Sequence, residues 1–394
     1  MQKNKSNRKQ IWLVAGETVM TAGVMSIPIM TPFYLSLGLS QSEIALTQII
    51  FTLVLMLLNI PLGWVADRFG RKMANVIGDT LCAITLLCYS QANGFWQIIG
   101  CETLFGVGVA FSQGVDSTLL KHFCDKTDPS GRFFRKKYAR VQMFCQIETL
   151  TMILLGGPIG AISFRLAIAL SSVGYIVGAI MSAFVKDDSP RLVSDDHAGA
   201  FRQMGRIVAK NLKNPLTRWR ILAYTFAREC THGIIWVFTP LMMMVGVPIE
   251  VVSVGWAINY IAATAGALIA GRMTRKLRDW QMFALPIVAI CLSSSIMFCS
   301  LNIVTIWLYA VFGMTQGWVS ASSMPIIKEH VAPEEQATIE SFARCLSQLL
   351  YIGAIWVINR AADFDVRYAL LATVIVFLPL SIPAILKLRR ESKR

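Results

Sequence analysis

Apolar stretches of about twenty residues recur along the whole chain, and a bilayer core of about 30 Å needs about that many helical residues to cross it. Windows of this length fall at approximately 11–37, 43–65, 73–92, 95–118, 138–161, 164–185, 219–246, 249–271, 280–299, 302–326, 338–359 and 366–387. Twelve such windows predict an all-α membrane protein, because a helix satisfies its own backbone N–H and C=O groups where no water can. Composition agrees. Of 394 residues, 55% are hydrophobic and 15% charged, with a mean hydropathy of +0.56. Soluble domains carry about 25% charged residues, so a soluble enzyme, a disordered chain and a disulfide scaffold are all disfavoured. Lys3, Lys5, Arg8 and Lys9 before the first window imitate a leader peptide. The apolar stretch that follows is too long for one and lacks a small-residue cleavage site, so it is read as a retained span.

Charge sets orientation. The formal net charge is +14. All of the 37 Lys and Arg residues but Arg165, Arg228, Arg360 and Arg367 fall on the same side of the spans, in alternate loops and at both termini. That asymmetry predicts cytoplasmic termini and a plasma membrane location, a bacterial inner membrane being the natural setting. It also removes the nucleic-acid reading that a basic chain would otherwise invite. The nine cysteines form no CxxC pair, and they read as small membrane-buried residues rather than metal ligands. No HExxH, Walker A or GxSxG motif occurs, so neither enzyme chemistry nor a cofactor is expected.

The chain repeats itself. Thr31-Pro32 followed by Gly38 returns as Thr239-Pro240 followed by Gly246, and Gly63 returns as Gly271 at the same spacing. Ser112-Gln113-Gly114 matches Thr315-Gln316-Gly317, and Tyr138-Ala139-Arg140 matches Phe342-Ala343-Arg344, at nearly that spacing. Two six-helix bundles follow, 1–185 and 219–394, related by a pseudo-two-fold axis along the membrane normal. The connector, 186–218, places Phe201, Met204, Ile207, Val208 and Leu212 at helical spacing among Arg202, Arg206, Lys210 and Lys213. It reads as a basic amphipathic helix on the membrane surface or as a solvated linker helix.

The loop between spans 2 and 3 reads Gly63-Trp64-Val65-Ala66-Asp67-Arg68-Phe69-Gly70-Arg71-Lys72. It resembles the signature loop of the major facilitator superfamily, G-x-L-A-D-R-x-G-R-K/R, with Val65 in place of Leu. The resemblance implies a secondary transporter. Gly63 permits close helix approach, Gly70 a tight turn, and Asp67 an anion at a neighbouring helix N-terminus, which in this family is that of helix 11. Arg68 and Arg71 would pair with Asp116 and Glu340, forming a cytoplasmic gate with Gly63, Asp67 and Gly70. In the second half, Arg275 stands where Asp67 does. Gly156-Gly157-Pro158-Ile159-Gly160 in helix 5 resembles, imperfectly, the Gly-Pro motif of the drug/proton antiporter branch. That resemblance implies a bendable helix, hinged at Gly156, Gly157, Pro158 and Gly160.

Seven acids lie in the spans or at their ends: Glu17, Asp79, Glu102, Asp116, Glu148, Glu229 and Glu340. A charge at the bilayer centre costs about 2.5–3.5 kcal/mol even on lenient scales, so such residues face cavities, pair, or bind protons. Asp79, near the end of helix 3, reads as structural. Glu17, Glu102, Glu148, Arg228, Glu229 and His232 remain as proton or substrate residues. Glu102 begins Glu-x3-Gly106-x3-Ala110, where the family often has arginine. Arg228 and His232 share a helix face, with Glu229 in reach. The leading expectation is a monomeric proton-coupled antiporter, driven by the proton gradient, that exports a lipophilic or cationic small molecule by rocker-switch alternating access. The alternative is a transporter, exporter or proton symporter, of a polar metabolite, carboxylate or siderophore whose anion Arg228 binds. A non-transporting scaffold is the third reading.

Overall fold

The computed structural model describes residues 2–128, 131–187, 197–274 and 276–392; the side chains of Lys3, Lys5, Asp67 and Phe201 lie outside the described residues, as do Arg191 and Arg275 altogether. Every element among the described residues is helical. The chain runs α1 (Gln2–Met20), α2 (Met30–Ser36), α3 (Gln41–Phe69), α4 (Arg71–Gln91), α5 (Phe95–Ser112), α6 (Val115–Asp125), α7 (Arg132–Ile162) and α8 (Phe164–Ala183). It continues through α9 (His197–Lys213), α10 (Pro215–His232), α11 (Phe238–Met244), α12 (Ile249–Met273), α13 (Asp279–Cys299), α14 (Tyr309–Lys328), α15 (Gln336–Ala362) and α16 (Tyr368–Glu391).

Nine of the described helices are long and apolar enough to cross a membrane. The remaining expected spans, 11–37, 219–246 and 302–326, fall on α1–α2, α10–α11 and α14. Two of them are broken mid-way for a physical reason. Pro28 and Pro32 lack an N–H and crowd the preceding turn, and the helix opens over residues 21–26 before a 3-10 turn at Ile27–Ile29. Gly233 and Pro240 flank the second break, over 233–237. After each break a seven-residue helix forms, α2 and then α11 exactly 208 residues later, and each ends in a left-handed glycine, Gly38 (φ 82°) and Gly246 (φ 83°). A side chain at either φ would be strained, so glycine ends both elements.

The chain divides into two compact units: Met1–Leu39 with Thr47–Ser194 and Ile249–Ser253, and Ser40–Leu46 with Asp195–Pro248 and Val254–Arg394. In the first, α1 packs on α6, α7 and α8, while α4 lies along α5 and α8. Ile11, Val14, Leu119 and Phe123 are buried together there. In the second, α10 is surrounded by α13, α14, α15 and α16. The connector helix α9 belongs to this unit, where Lys210 and Asn211 each hold Glu335 at 2.7 Å.

Without a hydrophobic drive between helices in lipid, small residues and close backbone contact hold such units together. Gly313 sits against the Asn259 backbone of α12, and Gly317 against that of Ala263. On α7, a Cβ at Gly156 would collide with the Met25 carbonyl and Pro28, and one at Gly160 with Ile29. Gly157 faces Ser253 Oγ and the Glu250 carbonyl in the first turn of α12. Gly156 and Gly160 are thus seats for the broken segment after α1, Gly157 is one for α12, and α7 runs through Pro158 without interruption. Gly156→Ala is expected to destabilise by about 1–3 kcal/mol, as overpacking does. Gly100→Ala, with open space around it, is expected to be near neutral; thermal unfolding of the two variants in detergent checks the difference.

Candidate functional site

Each unit buries polar chemistry among its helices. In the first unit, Gly106 lies so near Val54 of α3 that a Cβ would come within 2.9 Å of Cγ1. One turn earlier on the same face, Glu102 therefore meets α3 at Gln48. The Gln48 amide donates to Glu102 Oε1, and Tyr34 Oη donates to the same atom at 3.0 Å. Tyr89 Oη lies 3.3 Å from Tyr34 Oη and is also within hydrogen-bonding reach of the carboxyl. All four side chains are buried. In this cage Gln48 and Tyr34 both meet Oε1, so Oε2 can carry a proton while Oε1 goes on accepting from them.

A second group lies nearer the basic loops. Glu17 of α1, 1% exposed, lies in one cluster with Asp116 of α6 and Asp79 of α4. Two ionised carboxylates have no donor to offer each other, so these contacts become hydrogen bonds only when a proton lies between them. Asn75 donates to Asp116. Asp116 thus faces Asn75 and Glu17 within its own unit rather than Arg68 and Arg71. Arg68 stacks over Trp64 at 5.1 Å. Glu340 is taken up by Lys328 and by Arg344, at 2.7 Å from the latter. Glu148 of α7 stands at the break after α1. Both its oxygens are buried without a hydrogen bond, and one lies where a Cβ on Gly23 would come within 2.7 Å.

The second unit carries the deep base. Arg228 lies 35% exposed near the end of α10; its Nε donates to Glu229 Oε1 at 3.2 Å and its Nη1 to Tyr224 Oη at 3.4 Å. His232 Nδ1 is 2.9 Å from the Arg228 carbonyl, and its Nε2 is 3.2 Å from the Gln316 amide nitrogen. A carbonyl only accepts, so Nδ1 carries the proton and Nε2 offers a lone pair to the amide of α14. Within the break, Trp236 donates to Tyr351 Oη at 3.1 Å, and past it Trp256 donates to Thr239 at 3.0 Å. Phe238 stacks on Tyr309 with centroids 3.3 Å apart. At the other end of α10, buried Arg220 pairs with Asp279 and with Glu329 at 3.0 Å, and meets His330 at 2.7 Å. No group of three or more metal-ligating side chains occurs among the described residues.

The family model of the Major Facilitator Superfamily matches residues 13–354. The chain belongs to that superfamily. Its members are membrane transporters and not enzymes. The Major Facilitator fold is shared with solved structures at low identity. The nucleoside transporter NupG is 13% identical, with a TM-score of 0.76 over 99% of each chain. A bacterial homolog of the human lysosomal transporter Spinster, inward-facing and unoccupied, is 15% identical with a TM-score of 0.74, covering 99% of this chain and 98% of that one. The POT family transporter PepTSo is 13% identical with a TM-score of 0.74, covering 98% of this chain and 99% of that one. The nitrite extrusion protein of Bacillus subtilis is 30% identical over 116 residues, which are 28% of this chain and 29% of that protein. The chain therefore matches under a third of that curated relative's length.

The proton and substrate candidates of the sequence are thus found in three places: the Glu102 cage, the Glu17 and Glu148 region toward the first break, and the Arg228 group before the second. Tyr34, Gln48 and Tyr89 escape any local pattern, because they reach Glu102 from other helices. Tyr34→Phe removes one donor to the carboxylate, and about 1.5–3 kcal/mol of stability is expected to go with it. Thermal unfolding in detergent checks this, and an unchanged midpoint would show that the cage does not depend on Tyr34.

Proposed function

We propose that this superfamily member is a twelve-span secondary transporter that moves a small polar, anion-bearing molecule by alternating access of its two units, with both termini cytoplasmic. The observation that carries the reading is Arg228. A guanidinium deep in a span is costly unless a partner or ligand meets it. Here Glu229 engages Nε at one edge, the second terminal nitrogen makes no hydrogen bond among the described residues, and the side chain is 35% exposed. An Arg fork suits a carboxylate or oxyanion. The polar neighbours His232, Gln316 and Trp236 suit the rest of such a substrate. The partial kinship with a nitrite extrusion protein supports oxyanions as the first class to try.

Protons are the coupling ion in this reading. Glu17, Glu102 and Glu148 are the acids that exchange them, and the 63–72 loop is the cytoplasmic gate. Export of a lipophilic cation is the second reading, favoured by Glu148, whose buried oxygens have no hydrogen bond and would attract a positive group.

Reconstituted vesicles challenged with nitrite, nitrate and small carboxylates test the proposal. Exchange of at least one anion is expected, falling about a hundredfold or more in Arg228→Gln and partly restored in Arg228→Lys. Full exchange by a folded Arg228→Gln variant would remove Arg228 from the site. In the same vesicles, a proton-sensitive dye is expected to register flux on substrate addition, and Glu102→Gln is expected to abolish it. Unaltered proton flux in that variant would clear Glu102 of the coupling role.

A further inference from the structure

A groove runs between α1 and α7 in the first unit. It encloses about 500 Å³ and is walled almost wholly by apolar groups, among them Trp12, Ala15 and Met20 of α1 and Phe144 of α7. Lys137 and Arg140 also line it, at the end nearest the α6–α7 loop. The small side chains at Ala15 and Gly16 keep it open, and Gly16 lets α1 approach α8 so closely that a Cβ there would collide with Met181. From Trp12 to Met20 the groove follows α1 for about 12 Å at helical rise.

Two features at its basic end call for an anion. Lys137 Nζ is held 5.7 Å over the Trp12 ring and 5.6 Å over Phe133. Neither Lys137 nor Arg140 has a carboxylate partner among the described residues. Trp12 is 71% exposed, and Phe144, farther along the groove, is exposed too. Tryptophan with one polar edge belongs at the level of lipid headgroups. Paired cations there attract anionic lipid.

We infer that this groove binds an anionic phospholipid, with its phosphate at Lys137 and Arg140 and an acyl chain along Ala15, Met20 and Phe144. The site does not depend on Arg228 or on any transported substrate, and its failure would leave the transport reading as it stands.

Brominated lipids test it. Full-length protein is placed in phosphatidylcholine vesicles, and the Trp12 emission is isolated by subtracting the spectrum of Trp12→Phe. Dibrominated phosphatidylglycerol is expected to quench that emission with an apparent affinity roughly tenfold above dibrominated phosphatidylcholine. Lys137→Ala with Arg140→Ala is expected to bring the ratio to about one, whereas Lys137→Arg with Arg140→Lys keeps it. Ala15→Phe fills the groove and is expected to weaken quenching by both lipids. Thermal unfolding confirms that each variant is folded. Equal quenching by the two lipids in the parent protein would overturn the inference, as would a preference that survives the double alanine variant. Displacement by soluble glycerol phosphate as effective as by phosphatidylglycerol would assign the cations to a free phosphoryl anion, and would also overturn it.

Discussion

A bilayer offers no water to an unpaired peptide group, and the organisation of this chain follows from that constraint. Among the described residues, helices satisfy it through most of each expected span, and the longest breaks in mid-span are at residues 21–26 and 233–237. Irregular backbone at membrane depth is tolerated where protein or a polar cavity lines it. Here each break has polar side chains for neighbours. Glu148 stands against the first, and Arg228, His232 and Trp236 stand before and within the second. Both the departure from helix and the placement of charge are costly in lipid, and the chain spends them in the same places.

The two units answer the constraint with different chemistry. The first buries carboxyls without a deep cation. Glu102 is surrounded by neutral donors, and Glu17 by Asp79 and Asp116. The second buries Arg228 beside Glu229, and Arg220 beside Asp279 and Glu329. In this half Arg275 stands at the position of Asp67 in sequence, and Asp279, four residues on, meets Arg220.

The fold was legible because apolar length and period report directly on lipid exposure. Broken spans were harder to bound, since Pro28 and Pro240 mark a break without fixing how far it extends. Glycine motifs named a position but not a partner. The Gly156–Gly160 run resembled a hinge, and its neighbours Met25, Pro28 and Ile29 became visible only in three dimensions. The same limit governs the acids. The Glu102-x3-Gly106-x3-Ala110 pattern marked the face that packs against a neighbour, yet Tyr34 is 68 residues away in sequence and Gln48 is 54. Asp79 and Asp116 gave no sign that they converge on Glu17, because three separate helices carry them.

Gly38 and Gly246 carry one more implication. Each turns the chain through a left-handed corner after a seven-residue helix, 208 residues apart. Chemistry around the corners has drifted apart: Ser40 and Glu43 follow one, Pro248 and Glu250 the other. The corner itself has only one inexpensive occupant. The acids, bases and aromatics around such corners can change freely, while the bends stay as fixed joints. Chimaeras that exchange segments between the halves would therefore keep their shape best when cut at the glycines, where the two copies still share one geometry.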